Sequence, residues 1–233
     1  MKASLISILF LGAVLLVPGK GAERKFTSTD AKEMVAEIIS ATETEVTIKK
    51  SSDGKEYTLP LTRLSEADRK FVAAWVDEKP NMRPERQVEL AQQAGGPKKM
   101  TVPKGNYLSA DGTLTLYPGD TVNLEFAKEG DKWGAPKVVA EVKNPERTIT
   151  FGMTQNAQIT MLNRTTKIQS TVAFDCKNCP VGSDDFERTN IVPTEKGFGG
   201  NDSWPGTTWI LRLSNFEVSE RPAAEVYQER SSK

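Results

Sequence analysis

Two cysteines, a scatter of carboxylates and four tryptophans are the residues of this chain that could do chemistry, and histidine is absent. Without histidine there is no Ser-His-Asp or Cys-His arrangement, and the commonest transition-metal ligand is missing. Cys176 and Cys179 stand in a Cys-Lys-Asn-Cys-Pro run. A zinc site would need two further ligands, and a haem attachment would need histidine where Pro180 stands. A redox pair would need a helix start, which Val181-Gly182-Ser183 does not continue. The spacing therefore predicts a local disulfide between Cys176 and Cys179 that fixes a turn. Carboxylates alone could support glycoside hydrolysis, with Asp175, Asp184, Asp185, Glu187, Glu195 and Asp202 as candidates, but no spacing singles out an acid and nucleophile pair. Asp184, Asp185 and Asp202 could offer oxygen ligands to calcium, though they match no calcium loop. Trp133, Trp204 and Trp209 could form a sugar-stacking platform. Trp133 falls in a predicted turn, Gly130–Pro136, and Trp209 alternates with Leu211 and Leu213 as a core residue would. No cofactor and no metal is expected.

The elements that must position these groups follow a leader. Lys2 precedes an apolar run from Leu5 to Val17, too short to span a bilayer, which is about 20 residues. Pro18 and Gly19 break it, and small residues follow. Residues 1–22 read as a secretory signal peptide, so the chain is expected to be secreted or periplasmic, with no membrane span after cleavage. About 210 residues remain, enough for one or two domains. Basic and acidic residues balance at 31 each, and removal of Lys2 and Lys20 leaves a slight acidic excess. That balance gives no electrostatic case for binding nucleic acid.

The stretch from Arg24 to Val72 has the clearest pattern. Val46 and Ile48 alternate with polar residues, as do Tyr57, Leu59 and Leu61, and Ser52-Asp53-Gly54 lies between them as a hairpin turn. Met34–Ser40 is a further strand. Ser65 and Asp68 form a capping box ahead of a helix running to about Glu78, with Phe71, Val72 and Trp75 on one face. Three or four strands and one helix predict a small SH3-like barrel over residues 23–79.

These residues resemble a family. Arg24, Phe26 and Thr27 at the start, Asp53-Gly54-Lys55 at the hairpin tip, Leu59-Pro60-Leu61, then Leu64, Ser65, Asp68 and Phe71, are similar in order to the Sla homology domain one. That module is found in an endocytic adaptor and in many secreted bacterial proteins. Phe26 stands where the family usually has Trp, and Ala31-Lys32-Glu33-Met34 replaces its usual entry to the first strand. The resemblance covers about a fifth of the chain and implies a protein- or peptide-binding module.

Residues 80–99 hold three prolines and two glycines and read as a linker, with a short helix over Pro84–Ala94. From Met100 the apolar alternation repeats with turn signals every 8–12 residues. Strands are expected at Thr113–Tyr117, Thr121–Ala127, Lys137–Lys143, Arg147–Met153, Ala157–Asn163, Lys167–Asp175, Thr207–Leu213 and Asn215–Ser219. This predicts an antiparallel, immunoglobulin-like β-sandwich over residues 100–219, followed by a polar, frayed tail at 220–233. The expected fold class is mainly β.

The expected function is non-enzymatic binding of a protein or peptide in the envelope through the N-terminal barrel. Phe26 and Tyr57 are its candidate contact residues. A carbohydrate-binding role through exposed Trp133 and Trp204 is the alternative, and a carboxylate-based hydrolase the second alternative.

Overall fold

The structure is a computed structural model describing residues 23–91 and 96–232. The predicted leader lies outside them. Among the described residues the chain is mainly β, with antiparallel sheets and two α-helices. It divides into two compact units between Val76 and Asp77.

In the first unit, β1 (Arg24–Thr27), β2 (Glu33–Ala41), β3 (Glu45–Lys50) and β4 (Glu56–Pro60) form a meander in that order. Alternation sends Ala36, Ile38, Val46 and Ile48 inward, where they are buried. Gly54, at φ +67°, makes the turn into β4 that a side chain would resist. Helix α1 (Glu66–Glu78) adds Val72 and Trp75 to this core. Its third buried residue is a carboxylate, Asp68.

The second unit opens with short strands. They are β5 (Met82–Arg83), β6 (Arg86–Leu90), β7 (Lys98–Val102) and β8 (Gly105–Asn106); β5 pairs with β8 and β6 with β7. The short helix expected over Pro84–Ala94 is thus corrected to a strand over Arg86–Leu90. The reason is period. Arg86, Val88 and Leu90 turn inward while Gln87 and Glu89 face solvent, and Leu90 is fully buried. Arg86 is further tied to Asp120 at 2.7 Å and to the Pro118 carbonyl at 2.9 Å. Residues 80–91 are therefore hydrogen-bonded structure and not a free tether.

The remaining strands are β9 (Leu114–Leu116), β10 (Thr121–Glu129), β11 (Lys132–Val139), β12 (Thr148–Gln155), β13 (Ile159–Thr166), β14 (Thr171–Pro180), β15 (Glu187–Thr189), β16 (Gly200–Pro205) and β17 (Thr208–Ser219). They form a sheet ordered β11-β10-β12-β13-β16 and another ordered β15-β14-β17-β9. Both sheets contribute to one apolar cluster, including Leu124, Phe126, Phe151 and Met153 from the first and Phe174, Leu211 and Leu213 from the second. The two C-terminal strands expected from sequence are one, β17, with a bulge against Ala173–Asp175. Asn215 sits there at φ +52°, and the extra residue lets Phe216 reach Phe126, Phe151 and Phe174.

The tail is also ordered. Helix α2 (Ala223–Ser231) buries Ala223 and Val226. Arg230 anchors it, donating to Asp175 at 3.0 Å and to the Asn215 carbonyl at 2.8 Å. Val226 was outweighed in the sequence by its charged neighbours, of which Arg221, Glu229 and Arg230 are ion-paired here.

Candidate functional site

Six of the residues that carried the family resemblance, Arg24, Phe26, Thr27, Ser65, Asp68 and Phe71, meet in one place in the first unit. Asp68 accepts from Arg24 Nε and Nη2 at 3.3 and 3.2 Å, from the Thr27 amide at 2.7 Å and from Ser65 Oγ at 2.8 Å. Ser65 Oγ caps α1 by accepting from the Asp68 amide. Asp68 does not return to the Ser65 amide, which donates instead to the Thr27 carbonyl at 2.8 Å. The guanidinium of Arg24 lies over the Phe71 ring at 4.0 Å, and Phe71 meets Phe26 edge-on. This knot joins β1 to α1, so the ordered motif is first a folding device. Phe26 is buried within it.

Beside the knot is a hollow of about 270 Å³. Phe26, Met34, Leu59 and Leu64 line it among charged residues that include Lys50 and Arg63. Asp30 also lines it, bound by Ser28 Oγ and ion-paired with Lys32 at 3.0 Å. The Ser28 hydroxyl and then Lys32 hold the Asp30 carboxyl down at about 2. Tyr57, on β4, stays partly exposed, and its hydroxyl donates to Asp53 at 3.1 Å.

Strand β4 forms an edge of the meander, and no described strand pairs with its outer side. The Leu61 amide donates to Thr44 and the Lys50 amide to Lys55 O. Ladder bonds on this strand therefore fall at Lys55, Tyr57, Leu59 and Leu61, and the backbone groups of Glu56 and Thr58 point outward. Pro60, which has no N–H to leave unpaired, suits this edge.

The tryptophans are not brought together. Trp133 is in β11 and Trp204 in β16, the two opposite edges of the five-stranded sheet, about 19 Å apart at ordinary strand spacing. Trp133 is half-buried in a strand and not in an open turn. It packs edge-on to Phe126, and Lys128 Nζ covers its ring at 4.4 Å. Trp204 packs against the core cluster. Trp209 meets Tyr117 edge-on at 4.9 Å.

The cysteines do not form the expected disulfide. Both lie in β14 as free, buried thiols. They pair in regular register with Leu213 and Ile210, and residues three apart in a strand project from opposite faces. Cys176 belongs to the apolar cluster, where burial pushes its thiol up to about 12. Cys179 points the other way, and its Sγ lies 3.1 Å from the Ser183 carbonyl.

The carboxylates do not converge either. Asp175 is held by Arg230 and by Asn215 Nδ2 at 2.7 Å. Asp202 lies 2.7 Å from Arg164 Nη2, and burial outweighs that cation and raises its carboxyl. The pair touches as ions without the alignment of a hydrogen bond, and Arg164 Nε has no acceptor. Among the described residues no three carboxylates or thiols gather where a metal could bind. Sequence reasoning missed the Arg164–Asp202 pair, although Gly199-Gly200 was its signal. A Cβ on Gly199 would sit 2.1 Å from the Arg164 carbonyl, and one on Gly200 2.8 Å from Arg164 Nη2. Among the described residues no helix is long and apolar enough to cross a membrane. No protein family's sequence profile matches this chain, and no curated protein and no solved structure is similar to it.

Proposed function

We propose that this chain is an exported, non-enzymatic binding protein whose first unit docks an extended protein or peptide segment along β4. In this reading residues 1–22 are a cleaved signal peptide and the first unit is an SH3-like barrel of the Sla-homology type. The second unit is an immunoglobulin-like sandwich. The four-strand meander followed by α1 supports the first assignment. Two antiparallel sheets around one apolar cluster support the second. The lack of histidine and the engagement of Asp175 and Asp202 by arginines support a binding role over catalysis.

One observation carries the reading: the outer edge of β4 offers the backbone N–H and C=O of Glu56 and Thr58 with no strand against them. An added strand would satisfy those groups, and alternate side chains of the ligand would find Tyr57 and the hollow that Leu59 lines. Main-chain bonds would supply affinity and the hollow would supply selectivity.

The test is capture from an envelope extract by the full mature chain and by a Thr58→Pro variant. Proline at this edge position removes an outward donor while leaving the β3 pairing intact. A specific protein held by the parent and lost with Thr58→Pro is the expected result. Equal capture by both, with the variant folded by circular dichroism, would exclude docking at this edge.

A further inference from the structure

Three cations stand on one rung of the second unit's smaller sheet. Lys177 of β14 is registered opposite Arg188 of β15 on one side and Arg212 of β17 on the other. Directly opposed residues share a face. These three project away from the core, which the neighbouring rung of Cys176, Leu213 and Leu114 fills. At ordinary strand spacing the row spans about 10 Å.

Like charges directly opposite one another destabilise a sheet. Elsewhere several of the unit's arginines are paired with carboxylates, as in Arg86–Asp120, Arg147–Glu125 and Arg164–Asp202. Among the described residues neither Lys177 nor Arg212 has a carboxylate at ion-pair distance. Asp184, Asp185 and Glu187, on the segment that carries Phe186, form no ion pair with the row, and other nearby acids are already engaged. Asp175 is held by Arg230 and Asn215, Glu217 by Arg221 and Arg230, and Glu229 by Arg221. Asp111 accepts from Ser109 Oγ and from the Thr113 amide.

Two members of the row are held in place. Arg188 donates to the Arg230 carbonyl at 2.8 Å, and the Arg212 guanidinium lies over the Phe186 ring at 3.9 Å. Hollows of about 550 and 400 Å³ flank Lys177. The first is also lined by the arginine-engaged carboxylates Asp175, Glu217 and Glu229, and the second by Asp111 together with the hydroxyl-bearing residues Ser109, Thr113, Thr115 and Ser214.

We propose that this row is a binding site for a saccharide bearing sulfate or phosphate esters. A planar guanidinium held by an aromatic ring suits an ester oxyanion, and little of its freedom remains to be lost on binding. Lys177 lies between the two arginines and meets a second oxygen or a second ester. The hydroxyl wall matches a ring carrying hydroxyls of its own. The uncompensated repulsion is what the ligand relieves. The site lies in the second unit and does not depend on docking at β4.

The full mature chain is titrated by calorimetry and by NMR with a sulfated disaccharide, the same disaccharide without sulfate, glucose 6-phosphate, inorganic sulfate and an acidic hexapeptide. At least one ester-bearing sugar is expected to bind and to shift the signals of Lys177, Arg188 and Arg212. Which one does so distinguishes sulfate from phosphate. The neutral disaccharide should not bind, and inorganic sulfate and the hexapeptide should bind more weakly. Lys177→Gln and Arg212→Gln should each weaken the sugar about tenfold or more, the loss of one charge-assisted contact. Lys177→Gln should melt at or above the parent temperature, because it removes a like charge and no aromatic contact. The proposal is overturned if neither ester-bearing sugar binds. It is overturned equally if inorganic sulfate or the hexapeptide binds as tightly as the sugar, or if both folded variants bind unchanged.

Discussion

Cys176 shows how position in a strand decides the chemistry of a residue. In an apolar cluster its ionised form is disfavoured, and burial raises the thiol from 9.0 to about 12. The unfolded chain loses that proton near the ordinary value while the folded chain keeps it. The unfolded state therefore binds fewer protons between about pH 9 and 12, and stability falls as pH rises through that window. Cys176→Ala should flatten this alkaline loss, read as the urea midpoint against pH. In the parent at pH 8 the Cys176 thiol should resist iodoacetamide until denaturant is added. Ready alkylation of the native protein, or a mass lacking two hydrogens under non-reducing conditions, would contradict the buried free thiols. The Cys-x-x-Cys spacing was legible in sequence, but its meaning depended on the strand running through it.

At the scale of elements, α1 is joined to β1 by a buried carboxylate and not by apolar contact alone. Asp68 takes the place in the helix's inward stripe that an apolar residue would ordinarily fill, and it serves Arg24, Thr27 and Ser65 together. Asp68→Ala strands a partly buried guanidinium and an amide. It should cost about 2–4 kcal/mol, measured by denaturant unfolding followed through the first unit. A loss below half a kilocalorie per mole would show that the knot is incidental to the fold. Sequence spacing identified Ser65 and Asp68 as a cap, and the helix cap is present. It could not show that Asp68 reaches back to β1, because that contact spans 41 residues to Thr27. The short strand Arg86–Leu90 was obscured in a different way. Its alternation is real, but only Val88 and Leu90 are apolar, and Pro84 and the glycines around it read as breaks.

The molecule as a whole carries two cores, one in each unit, and they should respond separately to damage. Phe151 is buried among Phe174 and Phe216 in the second unit. Phe151→Ala should cost that unit about 3–5 kcal/mol. Hydrogen exchange should then quicken across β12 and β14, while the amides of Val46 and Ile48 in the first unit keep their protection. A uniform loss of protection would mean that the two units unfold as one. The sequence by itself determined the mainly β character and most of the strand positions, because a half-buried strand writes its inward face at every second residue. Val46 and Ile48, then Val122, Leu124 and Phe126, then Ile149, Phe151 and Met153 were all readable in that way, and all are buried. Only the tertiary structure decided which strands are neighbours. That choice put Trp133 and Trp204 at opposite edges of one sheet, turned Cys176 and Cys179 to opposite faces and set Arg188, Lys177 and Arg212 in one row. Alternation records which way a side chain points but not which strand lies beside it. Register between distant strands is fixed by the packing of the finished core, and no local window of sequence contains it.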